Sequence, residues 1–274
     1  MINLIKVIIL GIVEGITEWL PVSSTGHLIL IENILHLNMG QDFITMFEVV
    51  IQLGAILAVC VLYFNKLNPF SRRKNEIQKQ NTWILWVKVI IATIPAAVLG
   101  LLFDDAIDKV MGKPVIISAV LVLFGVLFIV VENRTAGNTP RVRRLAEIDY
   151  KLALLIGLFQ VIAMFLPGTS RSGITIVGGL LLGMARPVIA EFTFFMAIPV
   201  MFGASLLKLV KFGMVFTASE LGLLIVGFVT AFIVSLYVIR FFIRYIKRKD
   251  FKAFGYYRII VGTFAFLYFL LWAH

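Results

Sequence analysis

The sequence has little charge and a single cysteine. Only 15% of its 274 residues are charged, compared with about 25% in an average soluble domain, whereas 61% are apolar. This composition excludes a water-soluble globular domain. The one cysteine, Cys60, excludes an intramolecular disulfide framework and a cysteine-based metal centre. Acidic residues are scarcer than basic ones, 15 against 25, which gives a formal net charge of +10.

The apolar residues are collected in long runs. A helix needs about 20 mainly apolar residues to cross the hydrocarbon core of a bilayer, and six runs meet this requirement. The predicted spanning helices cover residues 44–64, 83–103, 115–132, 189–210, 221–243 and 256–273. We therefore expect an all-α integral membrane protein, folded as a single membrane domain over residues 1–274.

Two further apolar segments, 3–36 and 152–184, are interrupted near their middle by proline, glycine and hydroxyl residues. The interruptions, called the first and second break below, read PVSSTGH (residues 21–27) and PGTSRSG (residues 167–173). Irregular backbone at membrane depth is tolerated only where protein or a water-filled cavity surrounds it. Both segments are therefore predicted to be re-entrant helix-loop-helix hairpins.

The two interrupted segments are similar in sequence. With an offset of 146 residues, the matched pairs include Gly11 with Gly157, Pro21 with Pro167, and Ser24 with Ser170. This similarity predicts an internal duplication with repeats of about residues 1–145 and 146–274. Because each half has an odd number of crossings, the second half is expected to be inverted relative to the first. The two hairpin tips would then meet near the midplane of the membrane.

The distribution of Lys and Arg agrees with this arrangement. In the six-crossing arrangement, one side of the membrane carries the three most basic connections, 65–82, 133–151 and 240–258, the last of which includes Arg258. Basic loops are typical of the cytoplasmic face, so this bias explains the net charge without a nucleic-acid partner. The expected outer regions are both termini and the loops near 37–43, 104–114 and 211–220.

Two carboxylates precede the first break. Glu14 and Glu18 are four residues apart, so on a helix their side chains lie on one face about one turn apart. Two buried carboxylates need compensation, and a divalent cation with hard oxygen ligands, Mg²⁺ or Ca²⁺, provides it. The alternative is a carboxylate pair near the lipid headgroups on a water-exposed edge.

The first break ends in a histidine that follows three hydroxyl residues. His27 comes directly after Ser23, Ser24, Thr25 and a glycine. A hydroxyl group next to an imidazole is the arrangement that activates a nucleophile. The same hydroxyl residues also suit the N-terminal cap of the following half-helix, and the two roles are compatible.

The second break has the features of an anion-binding site. Small residues expose backbone N–H groups, and the following half-helix directs its positive end at the same place. Arg171 adds a planar guanidinium group that fits phosphate oxygens through two parallel hydrogen bonds. The other candidate binding residues of this break are Gly168, Thr169, Ser170, Ser172 and Thr175.

These motifs carry a family resemblance. EGITEWLPVSSTGH (residues 14–27) together with PGTSRSGIT (residues 167–175) resembles the paired signature of the undecaprenyl-pyrophosphate phosphatase family, also known as bacitracin-resistance proteins. FEVVIQLGAI (residues 47–56) adds to the similarity. The resemblance implies a metal-dependent phosphatase of the bacterial plasma membrane. Such an enzyme removes one phosphate from undecaprenyl pyrophosphate and so regenerates the lipid carrier for peptidoglycan and other wall polymers.

On this interpretation, Glu14 and Glu18 hold the metal, and the second break binds the pyrophosphate together with Ser23 and Thr25. Ser24, His27 and metal-bound water are the candidates for the attacking group, and Ser24 with His27 as its proton acceptor is favoured. The expected partners are an isoprenyl pyrophosphate lipid and the bilayer, with a homodimer as a further expectation and the site open to the outer face. A flippase is the alternative, because inverted repeats with broken helices are also the transporter plan.

Overall fold

The computed structural model describes residues 2–37, 39–110, 113–212 and 216–271. Within these ranges every regular element is a helix, apart from one isolated β-bridge between Val142 and Met184. Six of the described helices are long and apolar enough to cross a membrane. The prediction of an all-α protein with six such helices is therefore confirmed.

The described α-helices are numbered in chain order. Their bounds are α1 Ile2–Thr17, α2 Ser24–Leu35, α3 Gln41–Leu62, α4 Phe64–Leu67, α5 Glu76–Val110, α6 Pro114–Thr135, α7 Tyr150–Phe165, α8 Arg171–Leu181, α9 Arg186–Phe212, α10 Ala218–Ile246 and α11 Lys252–Leu271. The six long apolar helices are α3, α5, α6, α9, α10 and α11. A single 3₁₀ turn, Leu145–Glu147, precedes α7.

The helices extend into the predicted basic loops. α5 begins at Glu76, and the side chains of Asn75 and Gln78 each accept a hydrogen bond from the other residue's N–H group, which caps the helix. Part of the predicted loop 65–82 is therefore helical. The prediction relied on long apolar runs, which do not include a polar first helical turn. α11 begins at Lys252, so the assignment of Arg258 to a loop is wrong.

The predicted outer regions lie partly outside the described residues. These are the loops near 104–114, 211–220 and 37–43 and both chain termini. In the first of them, α5 continues to Val110 past non-helical dihedral angles at Phe103. The end of that helix therefore lies beyond the predicted limit at residue 103.

Four of the described helices form two short pairs. α1 and α2 have 16 and 12 residues, and α7 and α8 have 16 and 11. At about 1.5 Å per residue none exceeds about 24 Å, which is less than the roughly 30 Å of the hydrocarbon core. α1 contacts α2, and α7 contacts α8, so each pair folds back at its break.

Both breaks end in the same backbone conformation. Ser23 caps α2 with a φ of 76°, and Ser170 caps α8 with a φ of 72°. In each case the serine hydroxyl accepts a hydrogen bond from the backbone N–H three residues later. The equivalent of Ser170 is therefore Ser23, and the predicted match of Ser24 with Ser170 is wrong. The inserted residue lies between the proline and the cap, so Ser24 corresponds to Arg171.

The long helices pack against one another and against the first helix of each short pair. α6 lies along α11, α1 along α10, and α7 along α5, while α3 contacts both α9 and α10. A Cβ atom at Gly125 would lie 2.7 Å from the carbonyl oxygen of Gly255, and the reverse distance is 2.8 Å. These two glycines therefore allow the close approach of α6 and α11. The ring of Trp19 packs edge-on against Phe194, with 5.0 Å between centroids, and so holds the first break against α9.

Candidate active site

The two breaks meet at a cavity of about 180 Å³. Its polar lining consists of Glu18, which directly follows α1, of Gln52 from α3, and of residues of the two breaks, which are Ser23, Ser24, Thr25, Ser170, Arg171 and Ser172, with Gly168 beside them. The remaining lining residues are Ala163, Pro167, Val200, Met201 and Ala204. Two segments that are far apart in the sequence therefore contribute to one site that is part polar and part apolar.

Glu18 connects the two breaks at this cavity. One carboxylate oxygen accepts a hydrogen bond from the Ser24 hydroxyl at 2.5 Å, and the other accepts from Nη2 of Arg171 at 2.6 Å. The second terminal nitrogen of Arg171 donates to the carbonyl oxygen of Thr193 at 3.3 Å. The side chain of Glu18 is only 7% exposed, so this is an ion pair largely shielded from water.

Glu14 lies one turn before Glu18 and is fully buried. Neither of its carboxylate oxygens has a hydrogen-bond partner among the described residues. α1 ends at Thr17, but the N–H of Glu18 still bonds the carbonyl oxygen of Glu14 at 3.0 Å, which keeps the predicted one-turn spacing. A buried carboxylate without a partner is rare in folded proteins, because its desolvation is uncompensated.

His27 forms no hydrogen bond with Ser24. Its Nδ1 lies 2.8 Å from the carbonyl oxygen of Ser23, which only accepts, so Nδ1 carries the proton and donates. In the neutral ring Nε2 then accepts from the hydroxyl of Tyr257 at 2.9 Å, and the two rings are stacked. The predicted Ser24–His27 pair is therefore wrong, because the imidazole turns back toward the preceding helical turn. The adjacent acceptor for the Ser24 hydroxyl is Glu18.

Two predicted binding residues of the second break do not line the cavity. The Thr175 hydroxyl is buried and contacts the carbonyl oxygen of Arg171 at 2.9 Å and the hydroxyl of Thr193 at 3.0 Å. Thr169 is also fully buried. Gly168 does line the cavity, with a φ of +92°, and a Cβ there would lie 2.6 Å from the carbonyl oxygen of Ile117. Thr169 and Thr175 are therefore buried within the second break and do not line the cavity.

The sequence interpretation missed two residues of α11 that contact the breaks. Tyr257 bonds His27, and Arg258 bonds backbone carbonyl groups of both breaks. A tyrosine in an apolar run gives no signal of such a role. Arg258 did offer one, since an ionisable residue inside a membrane helix is costly and marks a functional or structural contact.

An ion pair and a serine hydroxyl line one small cavity, and Glu14, one turn before the ion pair, does not line it and has no hydrogen-bond partner among the described residues. These features define an integral membrane protein with an internal polar site. The chain belongs to the bacitracin resistance protein BacA family, whose family model matches residues 7–264. The predicted family is thereby confirmed.

Curated relatives resemble the chain over nearly the whole length of both proteins. An undecaprenyl-diphosphatase of Acetivibrio thermocellus is 56% identical over 270 residues, which cover 98% of this chain and 99% of the relative. An undecaprenyl-diphosphatase of Lachnoclostridium phytofermentans is 56% identical over 270 residues, with 98% of each chain covered. A protein of the same name from Enterococcus faecalis is 54% identical over 268 residues, with 97% of each chain covered.

Proposed function

We propose that the protein hydrolyses undecaprenyl pyrophosphate to undecaprenyl phosphate and inorganic phosphate, and so recycles the lipid carrier for cell-wall synthesis. The observation that carries this function is the Arg171–Glu18–Ser24 contact at a cavity formed by both breaks. It joins a phosphate-binding cation, a proton acceptor and a nucleophile in one place. The undecaprenyl-diphosphatase relatives are similar to this chain throughout.

The reaction follows from these three groups. The guanidinium of Arg171 exchanges Glu18 for two oxygens of the terminal phosphate. Glu18 then accepts the proton of the Ser24 hydroxyl while the Oγ atom of Ser24 forms a bond to the terminal phosphorus. The bond from that phosphorus to the bridging oxygen breaks, and undecaprenyl phosphate leaves with the electron pair of this bond and with the proton that Glu18 had accepted. Water next hydrolyses the phosphoserine, which releases inorganic phosphate and restores the serine hydroxyl.

A divalent cation, Mg²⁺ or Ca²⁺, belongs to this proposal. The two unpartnered oxygens of Glu14 suit a hard cation, and Glu18 is the neighbouring carboxylate. The described residues contain no cluster of three or more His, Cys, Asp or Glu side chains that would hold a metal ion alone. The substrate oxygens would therefore complete the ligand set. When bound, the cation would offset the negative charge of the pyrophosphate.

The isoprenyl tail would enter sideways between helices, and the site would open to the outer face of the plasma membrane. Val200, Met201 and Ala204 give the cavity an apolar lining suited to such a tail. They lie in the second half of α9, toward the end that precedes the predicted outer loop. The polar and apolar linings together match an amphipathic substrate.

The proposal includes two re-entrant hairpins, α1–α2 and α7–α8, in repeats 1–145 and 146–274 of opposite orientation. The short helices and the matching caps at Ser23 and Ser170 support it. The packing supports it too, because α1 packs on α10 of the second half while α7 packs on α5 of the first. A homodimer remains a prediction.

Single-cysteine labelling tests this topology. With Cys60 replaced by alanine, we expect cysteines introduced at Asn75 and Asn138 to be protected from an impermeant reagent in intact cells. A cysteine at Gly40, where a side chain would meet nothing within 4 Å, is the control and should react from outside. Labelling of positions 75 and 138 from opposite faces would contradict the six-crossing arrangement.

Phosphate release tests the function itself. We expect the purified protein in detergent to release inorganic phosphate from a long-chain isoprenyl pyrophosphate, and a chelator to stop the release. Restoring Mg²⁺ or Ca²⁺ should restore the activity. An absence of phosphate release, together with lipid movement across vesicle membranes, would instead favour a flippase.

Arg171→Lys should lower turnover strongly. Lysine keeps the charge but lacks the planar fork, and the loss of charge-assisted hydrogen bonds costs about 1.5–3 kcal/mol, or roughly 10- to 150-fold in rate. Steady-state kinetics on the pyrophosphate lipid measure this loss. The matched control is Arg144→Lys, at a guanidinium that is 82% exposed in a loop. Equal rates for Arg171→Lys and the unaltered protein would mean that this residue acts only as a distant point charge.

A further inference from the structure

Arg258 is a fully buried arginine that the chemistry above does not use. It lies on α11, with 0% of its surface exposed. Two other arginines pair with buried carboxylates: Arg171 pairs with Glu18, and Arg186 pairs with Glu132. Within the described part of the chain, no carboxylate lies within 4.0 Å of Arg258.

The guanidinium of Arg258 donates to backbone carbonyl groups of both breaks. Nη1 bonds the carbonyl oxygen of Pro21 at 3.1 Å and that of Thr169 at 3.0 Å. Nη2 bonds the carbonyl oxygen of Gly168 at 2.7 Å, and Nε reaches that of Leu121 on α6 at 3.4 Å. One side chain therefore holds the first break, the second break and α6 together.

The surroundings of this guanidinium accept four hydrogen bonds from its five N–H groups but leave its charge uncompensated. Carbonyl oxygens carry only partial charges. The rings of Phe124 and Phe128, each with its centroid 5.8 Å from the guanidinium carbon, add a weak attraction. Buried cations are normally paired with a carboxylate, because an unpaired charge in a low-dielectric interior is unfavourable. Such a charge favours an anion nearby.

The guanidinium of Arg258 bonds a residue that lines the cavity. Gly168 lines the cavity and bonds Arg258 through its carbonyl group, so the guanidinium lies behind the cavity wall. In a trans peptide group the C=O and N–H bonds point in opposite directions. The bond from Arg258 to the carbonyl of Thr169 therefore turns the N–H of Ser170 away from Arg258. Ser170 is itself a lining residue of the cavity.

We propose that Arg258 is a positioning residue of the phosphatase reaction, acting from behind the cavity without touching the substrate. It fixes the backbone of the two breaks relative to each other, so that Ser24 and Arg171 face one phosphate. Its unpaired positive charge also favours binding of the pyrophosphate anion. This inference rests on the proposed function.

Two substitutions separate these effects. Arg258→Lys keeps the charge but cannot bridge the same carbonyl groups, so kcat should fall by about tenfold or more while KM stays within about threefold. Arg258→Gln removes the charge as well, and KM for the isoprenyl pyrophosphate should then also rise by about tenfold. Both parameters come from phosphate release by the purified protein in detergent, with the unaltered protein assayed in parallel.

The control is Arg186→Gln. Arg186 is bonded to the buried Glu132, which also accepts from the backbone N–H of Phe251 at 2.9 Å, and none of these residues lines the cavity. We expect Arg186→Gln to lower Tm while kcat and KM of the folded protein stay within about threefold. A merely structural role of Arg258 would give the same pattern in the Arg258 variants.

The outcomes are distinct. Unchanged kcat and KM in Arg258→Gln, or losses that Arg186→Gln reproduces at the same fall in Tm, would overturn the proposal. If Arg258→Gln does not fold, kcat of Arg258→Lys decides, since this variant retains the buried charge. A lack of phosphate release by the unaltered protein would instead contradict the proposed function.

Discussion

Ser24→Ala should reduce phosphate release by about a thousandfold or more, because it removes the proposed nucleophile and with it the covalent route. The Ser24 hydroxyl is the one that bonds Glu18, at 2.5 Å. Steady-state phosphate release from isoprenyl pyrophosphate in detergent measures the effect. Binding of the lipid should persist, since Arg171 and the second break are unchanged.

The control for this substitution is Ser205→Ala. Ser205 is a buried serine on α9 whose hydroxyl donates to the carbonyl oxygen of Val49, and it does not line the cavity. We expect this variant to keep normal turnover. If Ser24→Ala retained a tenth or more of the unaltered rate, the serine would not be the nucleophile, and activated water or His27 would take that role.

Glu18→Gln should have the second large effect, a loss of about 10² to 10⁴ in turnover. The amide cannot accept the proton of Ser24, and it leaves Arg171 without its ion-pair partner. Added metal should not restore the rate, because the proton acceptor is lost together with one of the two carboxylates proposed to hold the cation. For Glu14→Gln, whose carboxylate contacts neither group, we expect partial recovery at high Mg²⁺ or Ca²⁺.

Phosphate release measured over a metal titration distinguishes the two glutamates. Glu76→Gln, at a carboxylate that is 88% exposed, is the matched control and should leave the titration unchanged. Unaltered activity of either Glu14→Gln or Glu18→Gln at limiting metal would contradict the shared-metal assignment. Full recovery of Glu18→Gln at high metal would contradict its role as the proton acceptor.

Much of the fold is predictable from the sequence because membrane helices are specified by long apolar runs. The two breaks are also evident, since proline, glycine and hydroxyl residues interrupt the apolar pattern there. The start of α5 at Glu76 is not evident, because side-chain caps define it in a polar segment. Register within the repeat was misjudged because the prolines align with an offset of 146 while the cap serines align with 147.

The composition of the site is predictable to a lesser degree. Glu18, Ser24 and Arg171 were found because carboxylates, hydroxyls and a cation at membrane depth are unusual. The hydrogen bonds among these three residues were not predicted, because the direction of a side chain at a break depends on backbone angles such as the positive φ of Ser23. The contacts of α11 with both breaks depend on helix packing between distant segments, which no local pattern records.

Before a ligand binds, Glu18 occupies Arg171, so a ligand must compete with this carboxylate for the guanidinium group. A ligand enters only if it offers Arg171 more than the carboxylate it displaces. A diphosphate as a whole carries more negative charge than the singly phosphorylated product, and it therefore competes better with Glu18 for Arg171. Re-formation of the Arg171–Glu18 ion pair would therefore favour release of the monophosphate lipid. Where both the diphosphate and the monophosphate lipid are present in the membrane, the enzyme would then turn over the diphosphate without strong inhibition by its own product.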